Sequence, residues 1–198
     1  MEWSEEFYAW RAGDGCPSCA DGRPDEMPWG VRFFAGAVSD AYLVRADVQR
    51  GLSAVVWRGR HVAEPTELTD DEAAVYGREV LAVGRAIEVA FAPVKMNYNL
   101  LGNSVPHLHT HIVPRYADDP RPGWPFPFPD PEPGPIPEKR LAQEVALLRD
   151  LLTDGAPRAI SERSCTAPSR QPRSCRRRPR SRAPGSFPAA TCVRGACR

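Results

Sequence analysis

The sequence predicts an α+β domain: a small antiparallel sheet with a long central helix and a C-terminal helix. Three observations carry this. Short β-rich runs fall into two groups, one before residue 60 and one after residue 94, and a single long amphipathic stretch separates them. A second helical stretch follows a proline-rich segment. Strands grouped around one helix exclude a βαβ repeat, and 198 residues with 42% hydrophobic side chains suffice for one buried core.

Taken in order, residues 3–12 have the pattern of one or two amphipathic helical turns, and Gly13 to Pro28 is a loop rich in Gly, Pro and Asp. Val31 to Ala35 and Ala41 to Arg45 form a hairpin around Gly36-Ala37-Val38-Ser39-Asp40, and Leu52 to Trp57 is the third strand. Thr69-Asp70-Asp71-Glu72 is a capping box that starts a helix. Its apolar stripe, Tyr76, Val80, Val83, Ile87 and Phe91, runs to about Ala92, where Pro93 ends it. Lys95 to Leu100 and Val105 to Val113 are two further strands joined by a turn at Gly102-Asn103. Half the residues from Pro120 to Pro137 are proline, which predicts an extended connector wrapping the surface through Trp124, Phe126 and Phe128. Leu141, Val145, Leu148 and Leu152 mark a last helix over 138–152.

The formal charge of +1 hides two different materials. Of 26 basic residues, ten are arginines that lie from Ala159 onward, where a single acid, Glu162, accompanies them. These observations divide the chain into a domain over 1–158 (core 14–116, connector 117–137, helix 138–152) and an Arg/Pro/Ser-rich tail over 159–198 that is expected to be disordered. The favoured reading of the tail is an extension without a specified role. Nucleic acid is a possible partner only through this tail, where Arg176-Arg177-Arg178-Pro179-Arg180 could neutralise phosphates. The acidic start precedes no apolar run long enough for a signal peptide or membrane span, so a cytoplasmic protein with no membrane partner is expected. Four of the six cysteines are in the tail; Cys16 and Cys19 form a Cys-x-x-Cys pair.

Three of the four histidines fall in Pro106-His107-Leu108-His109-Thr110-His111-Ile112-Val113-Pro114. Spaced two apart on a strand, His107, His109 and His111 are expected to share one face and project toward one place. Neutral imidazole can bind a metal or attack phosphorus. Cys-x-x-Cys taken by itself is open between a structural zinc site, a redox pair and chance.

The run from Asn97 to Arg115, with Gly102-Asn103-Ser104-Val105, the His-x-His-x-His core and the following Pro114-Arg115, resembles the signature of the histidine triad (HIT) superfamily. The resemblance implies a HIT-like fold and a nucleotide hydrolase or nucleotidyl transferase. It would act at the α-phosphate of a nucleoside polyphosphate, such as a diadenosine polyphosphate, or of a phosphoramidate, through a nucleotidyl-histidine intermediate. His109 takes the place of the nucleophile, and His111 that of the group that holds the phosphate oxygens. Gly102, Asn103 and Ser104 assist through backbone N–H groups and a hydroxyl. Asn97 resembles the asparagine that approaches ribose or phosphate, and the short turn before the triad makes Asn99 a second candidate. The zinc-bearing branches of the superfamily imply a structural zinc held by Cys16, Cys19, His61 and His107, a donor set that suits tetrahedral zinc. A homodimer is implied as well. At Ser53 many relatives have a histidine and at Trp57 a proline, departures that bear on the nucleotide groove. The alternative function is a zinc-stabilised nucleotide- or nucleic-acid-binding module without turnover.

Overall fold

The computed structural model describes residues 2–153. The boundary at 158 and the disorder expected over 159–198 lie outside the described residues.

The chain opens with helix α1 (Glu5–Arg11), capped by the Ser4 hydroxyl, which accepts from the Phe7 N–H at 3.1 Å. One further turn, α2 (Pro17–Ala20), starts at Pro17 directly after Cys16. Six antiparallel strands follow in the spatial order β1-β2-β3-β4-β6-β5: β1 (Glu26–Met27), β2 (Gly30–Ala35), β3 (Ser39–Val44), β4 (Ser53–Trp57), β5 (Lys95–Asn99) and β6 (His109–Arg115). The α+β class and the single antiparallel sheet are therefore as expected, with the two-residue β1 as an addition too short to carry a pattern of its own.

Helix α3 (Asp70–Phe91) begins at the capping box. The Thr69 hydroxyl accepts from the Glu72 N–H at 3.3 Å, and the Glu72 carboxylate accepts from the Thr69 N–H at 2.8 Å. It ends at Ala92, whose φ of 47° is left-handed, ahead of Pro93. Tyr76, Val83, Ile87 and Phe91 are buried on it, as the spacing predicts. So is Glu79, a charged residue inside the apolar stripe. Its carboxylate accepts from the N–H groups of Ala37 (2.6 Å) and Val38 (3.3 Å) and from the Ser39 hydroxyl (2.5 Å), closing the β2–β3 hairpin from the helix side. Helix α4 (Glu138–Thr153) buries Leu141, Val145 and Leu148 in the same core.

Both helices cover one face of the sheet, against Phe33, Leu43, Val55, Trp57 and Ile112. Strand alternation sends Tyr42, Ala54 and Val56 to the other face with Met27. Ser53 and Trp57 alternate to the helix side: the Ser53 hydroxyl donates to the Gly51 carbonyl, and the Trp57 indole N–H donates to the Arg60 carbonyl. Neither lines the opposite face, so both side chains belong to the core and not to the face expected to form a nucleotide groove. The proline-rich connector runs beside the Arg45–Asp47 segment, where Ile136 N–H donates to the Arg45 carbonyl and Asp47 N–H to the Gly134 carbonyl. Among the described residues no helix is long and apolar enough to cross a membrane.

Candidate functional site

Strand β6 is interior, paired with β4 on one side and β5 on the other. Thr110 and Ile112 point into the helix-covered core, where the Thr110 hydroxyl meets the Tyr76 hydroxyl at 2.9 Å. His109 and His111 therefore stand on the open face, their rings 4.9 Å apart. Their neighbours across the strands are Val56 and Ala54 on β4, small enough to leave the face accessible, and Asn99 on β5, directly opposite His111.

His107 departs from the expected common face. The strand begins at His109, since Pro106 has no N–H to give and the Leu108 N–H leaves the ladder to donate to the Val62 carbonyl at 2.7 Å. The backbone turns there, and the His107 ring lies buried beside the cysteine pair instead. The triad is thus divided between two neighbouring places.

One place is a Cys2His2 cluster. The ligand atoms of Cys16, Cys19, His61 and His107 all lie within 4.8 Å of one another. His107 turns Nδ1 toward Cys16 Sγ (3.6 Å) and Cys19 Sγ (3.5 Å), and His61 turns Nδ1 toward Cys19 Sγ (3.4 Å). The opposite nitrogens settle the tautomers. A carbonyl only accepts, so His107 Nε2 donates to Trp57 O at 2.9 Å and His61 Nε2 donates to Arg11 O at 3.3 Å. Each Nδ1 then presents a lone pair to the cluster, the arrangement of a metal-binding imidazole oriented by a carbonyl behind it. Both cysteines are free of disulfides. Burial and the neighbouring Cys16 push the Cys19 thiol up to about 11, against a smaller opposing effect of the Arg58 guanidinium. Two sulfurs and two oriented imidazoles fit a tetrahedral zinc-type ion, so this cluster could hold a metal.

The other place is the open face. His109 Nδ1 lies 2.7 Å from the His107 carbonyl oxygen and must be the donor, which leaves the Nε2 lone pair unused. His111 is held neutral at pH 7: burial, with the adjacent His109, lowers its pKa from 6.5 to about 4. Its Nδ1 is buried without a hydrogen-bond partner among the described residues. The Phe128 ring of the connector closes over His111 at 6.4 Å between centroids.

The remaining expected residues are placed unevenly. Gly102, with a left-handed φ of 63°, lines a small pocket together with His107 and His109. Asn103 lines a separate cleft on the other side of its loop, and Ser104 is exposed. Asn97 shares the histidine face, but its carboxamide oxygen accepts from Arg115 Nη1 at 2.6 Å. Asn99 is the asparagine left beside His111.

Arg115 is the residue that the sequence reading missed. It stands two strand steps from His111 on the same face, is nearly buried, and binds Asp119 and the carbonyls of Trp124 (2.9 Å) and Arg121 (3.1 Å) while its guanidinium covers the Phe126 ring. It therefore ties the proline-rich connector to the histidine strand. The signal was the strand period itself, which puts 109, 111 and 115 on one side.

Comparison with known proteins agrees with this geometry. The family model described as the HIT domain matches residues 43–118. "Protein hit" of Bacillus subtilis (strain 168) is 35% identical over 82 residues, covering 39% of this chain and 56% of the relative, so the match spans little more than half of that relative's length. A histidine triad protein of Marinobacter aquaeolei VT8 is similar in structure with a TM-score of 0.56 at 28% identity, over 64% of this chain and 90% of that one. A histidine triad protein of Sinorhizobium meliloti 1021 shares the fold, with a TM-score of 0.56 at 23% identity over 62% and 89% of the two chains. The His-x-His-x-His strand, the sheet that carries it and these matches agree: residues 43–118 match the HIT domain, and the fold around them is similar to that of the histidine triad proteins.

Proposed function

We propose that this protein is a nucleotide hydrolase or nucleotidyl transferase that attacks the α-phosphate of a nucleoside polyphosphate or phosphoramidate. The observation that carries the reading is the His109 ring. Its Nδ1–H is spent on the His107 carbonyl, which leaves the Nε2 lone pair for attack on phosphorus. In the first step a bond forms between Nε2 and phosphorus while the bond from phosphorus to the leaving group breaks, and the leaving group departs with a proton from solvent. In the second step water, or another acceptor hydroxyl, attacks phosphorus, the P–N bond breaks and His109 is restored. His111, neutral and with Nδ1 unpartnered, offers an N–H donor to the phosphate oxygens. Gly102, Asn103 and Ser104 form the loop beside the reacting phosphate. Asn99, rather than Asn97, is the asparagine available to substrate, since Asn97 is held by Arg115.

Cys16, Cys19, His61 and His107 hold a zinc ion in this reading, with all four donors from the protein. Such an ion supplies cross-linking energy, tying the first nineteen residues to the start of the histidine strand. Keeping both cysteines as thiolates suits a reducing compartment, the cytoplasm. A homodimer is supported by β5, an edge strand, and by the exposed apolar residues Tyr98 on it and Leu81 and Val89 on α3, against which the Tyr98 ring packs at Gly84.

The test is His109→Ala assayed on nucleoside polyphosphates and phosphoramidates. Turnover should fall by at least about a hundredfold, with nucleotide binding and Tm nearly unchanged. Retention of more than about a tenth of the rate refutes the nucleophile.

A further inference from the structure

Four of the seventeen aromatic residues, Trp3, Phe7, Tyr8 and Trp10, fall in the first ten positions, yet α1 buries none of its residues. A core role does not explain them. The helix is nonetheless held in one place. Ser4 caps its start, and at its end the Arg11 carbonyl accepts from His61 Nε2 of the Cys2His2 cluster. Gly13, just beyond the helix, takes a left-handed φ of 94° next to the His61 ring. Trp3 and Phe7 stack at 4.3 Å, and Tyr8 lies exposed beside them.

This aromatic face lines a cleft of about 330 Å³ together with Arg11, Leu101 and Asn103. Ala63, Glu64, Leu101 and Gly102 line both this cleft and the small pocket that His109 borders. The phosphate-side loop is therefore shared: His109 is on one side of it and the aromatic wall on the other. The volume is at the small end for ligand sites and matches a single ring system rather than a whole second nucleotide chain. The wall offers ring faces for stacking, the Arg11 guanidinium offers positive charge to a phosphate leading into the cleft, and Asn103 offers an amide at the rim.

We propose that this cleft is a leaving-group subsite that selects substrates whose departing group carries a flat aromatic ring, stacked on Trp3 and Tyr8. The inference rests on the proposed reaction at His109 and adds a specificity device to it. Two sources share the ring chemistry: the second base of a dinucleoside polyphosphate and the aryl group of an aromatic-amine phosphoramidate.

The experiment uses the full chain and the variants Trp3→Ala, Tyr8→Ala and the double variant. Both side chains are exposed, so the variants should fold, and Tm checks this. Two substrate pairs are compared, diadenosine tetraphosphate against adenosine 5′-tetraphosphate, and a tryptamine phosphoramidate of AMP against the unsubstituted phosphoramidate. The wild type should favour the ring-bearing member of at least one pair in kcat/KM, and the double variant should lose about tenfold or more of that preference, mainly through KM. A shift in the first pair alone names a second base as the occupant; a shift in the second alone names an aryl amine. No wild-type preference, or a preference that the double variant keeps, overturns the subsite. If the wild type turns over none of the four, the proposed reaction fails instead. The subsite is then read by quenching of tryptophan fluorescence on adding tryptamine phosphoramidate, which must diminish in Trp3→Phe for the subsite to stand and overturns it if unchanged.

Discussion

His111 ties the acid stability of the fold to the open face of the sheet. The ring is held neutral, with its pKa lowered by burial and by His109 from 6.5 to about 4. A folded-state value below the unfolded one means that the unfolded chain binds the proton more tightly. Stability is then fully present above pH 6.5 and is lost as the pH falls toward 4. At 1.36 kcal/mol per unit, the two values give a loss of about 2 kcal/mol between pH 7 and pH 5 and about 3 kcal/mol by pH 4 from this one residue. His111→Phe keeps a ring against Phe128 and removes the titration. Urea denaturation of both proteins at pH 7 and pH 5 gives four stabilities, and only the difference of differences matters, because every other titrating group is common to the two. Wild type should lose about 2 kcal/mol more than the variant over this interval. Equal losses, within about 0.5 kcal/mol, would refute the depressed pKa and with it the neutral donor assigned to His111.

Other consequences follow from the same geometry. Purified protein should carry about one zinc per chain, and Cys19→Ser should lower both metal content by elemental analysis and Tm, because metal affinity at such a cluster is folding free energy; stoichiometric zinc in a Cys16/Cys19 double variant would remove the cysteines from the site. Tyr76→Phe removes the hydroxyl shared by the Val55 carbonyl and Thr110, and should cost about 1–2 kcal/mol in denaturation with kcat unchanged, since both partners face the core. Leu81→Glu should convert a dimer into a monomer by light scattering; a dimer that persists places the interface elsewhere. Removing the residues after Arg158 should leave turnover of small nucleotides unchanged, and loss of turnover would move the domain boundary.

The legibility of the fold depended on whether a residue's neighbours were local. The capping box at Thr69, the stripe from Tyr76 to Phe91 and the stop at Pro93 are local, and the helix lies where they place it. Glu79 could not be anticipated in the same way. Nothing within helical spacing accounts for a buried carboxylate. Its partners are the backbone N–H groups of a hairpin some forty residues earlier. The division of the triad has a similar cause. Period-two alternation predicts a shared face only while the strand lasts, and where β6 starts is decided by the Val62 carbonyl, which takes the Leu108 N–H out of the ladder.

That break in the ladder links the two halves of the site. The turn before Leu108 sends the His107 ring to the cysteines, and the same turn leaves the His107 carbonyl within reach of His109 Nδ1. The residue that completes the Cys2His2 cluster through its side chain thus orients the proposed nucleophile through its backbone. Arg115 acts on the other end of the strand, drawing Asn97 away and bringing the connector, with Phe128, over His111. Each of these connections joins a side chain to a backbone group or to a residue distant in sequence, which a motif does not record. The motif points to the groups proposed to react, while their hydrogen-bond partners and their separation into two places came from contacts made across the fold.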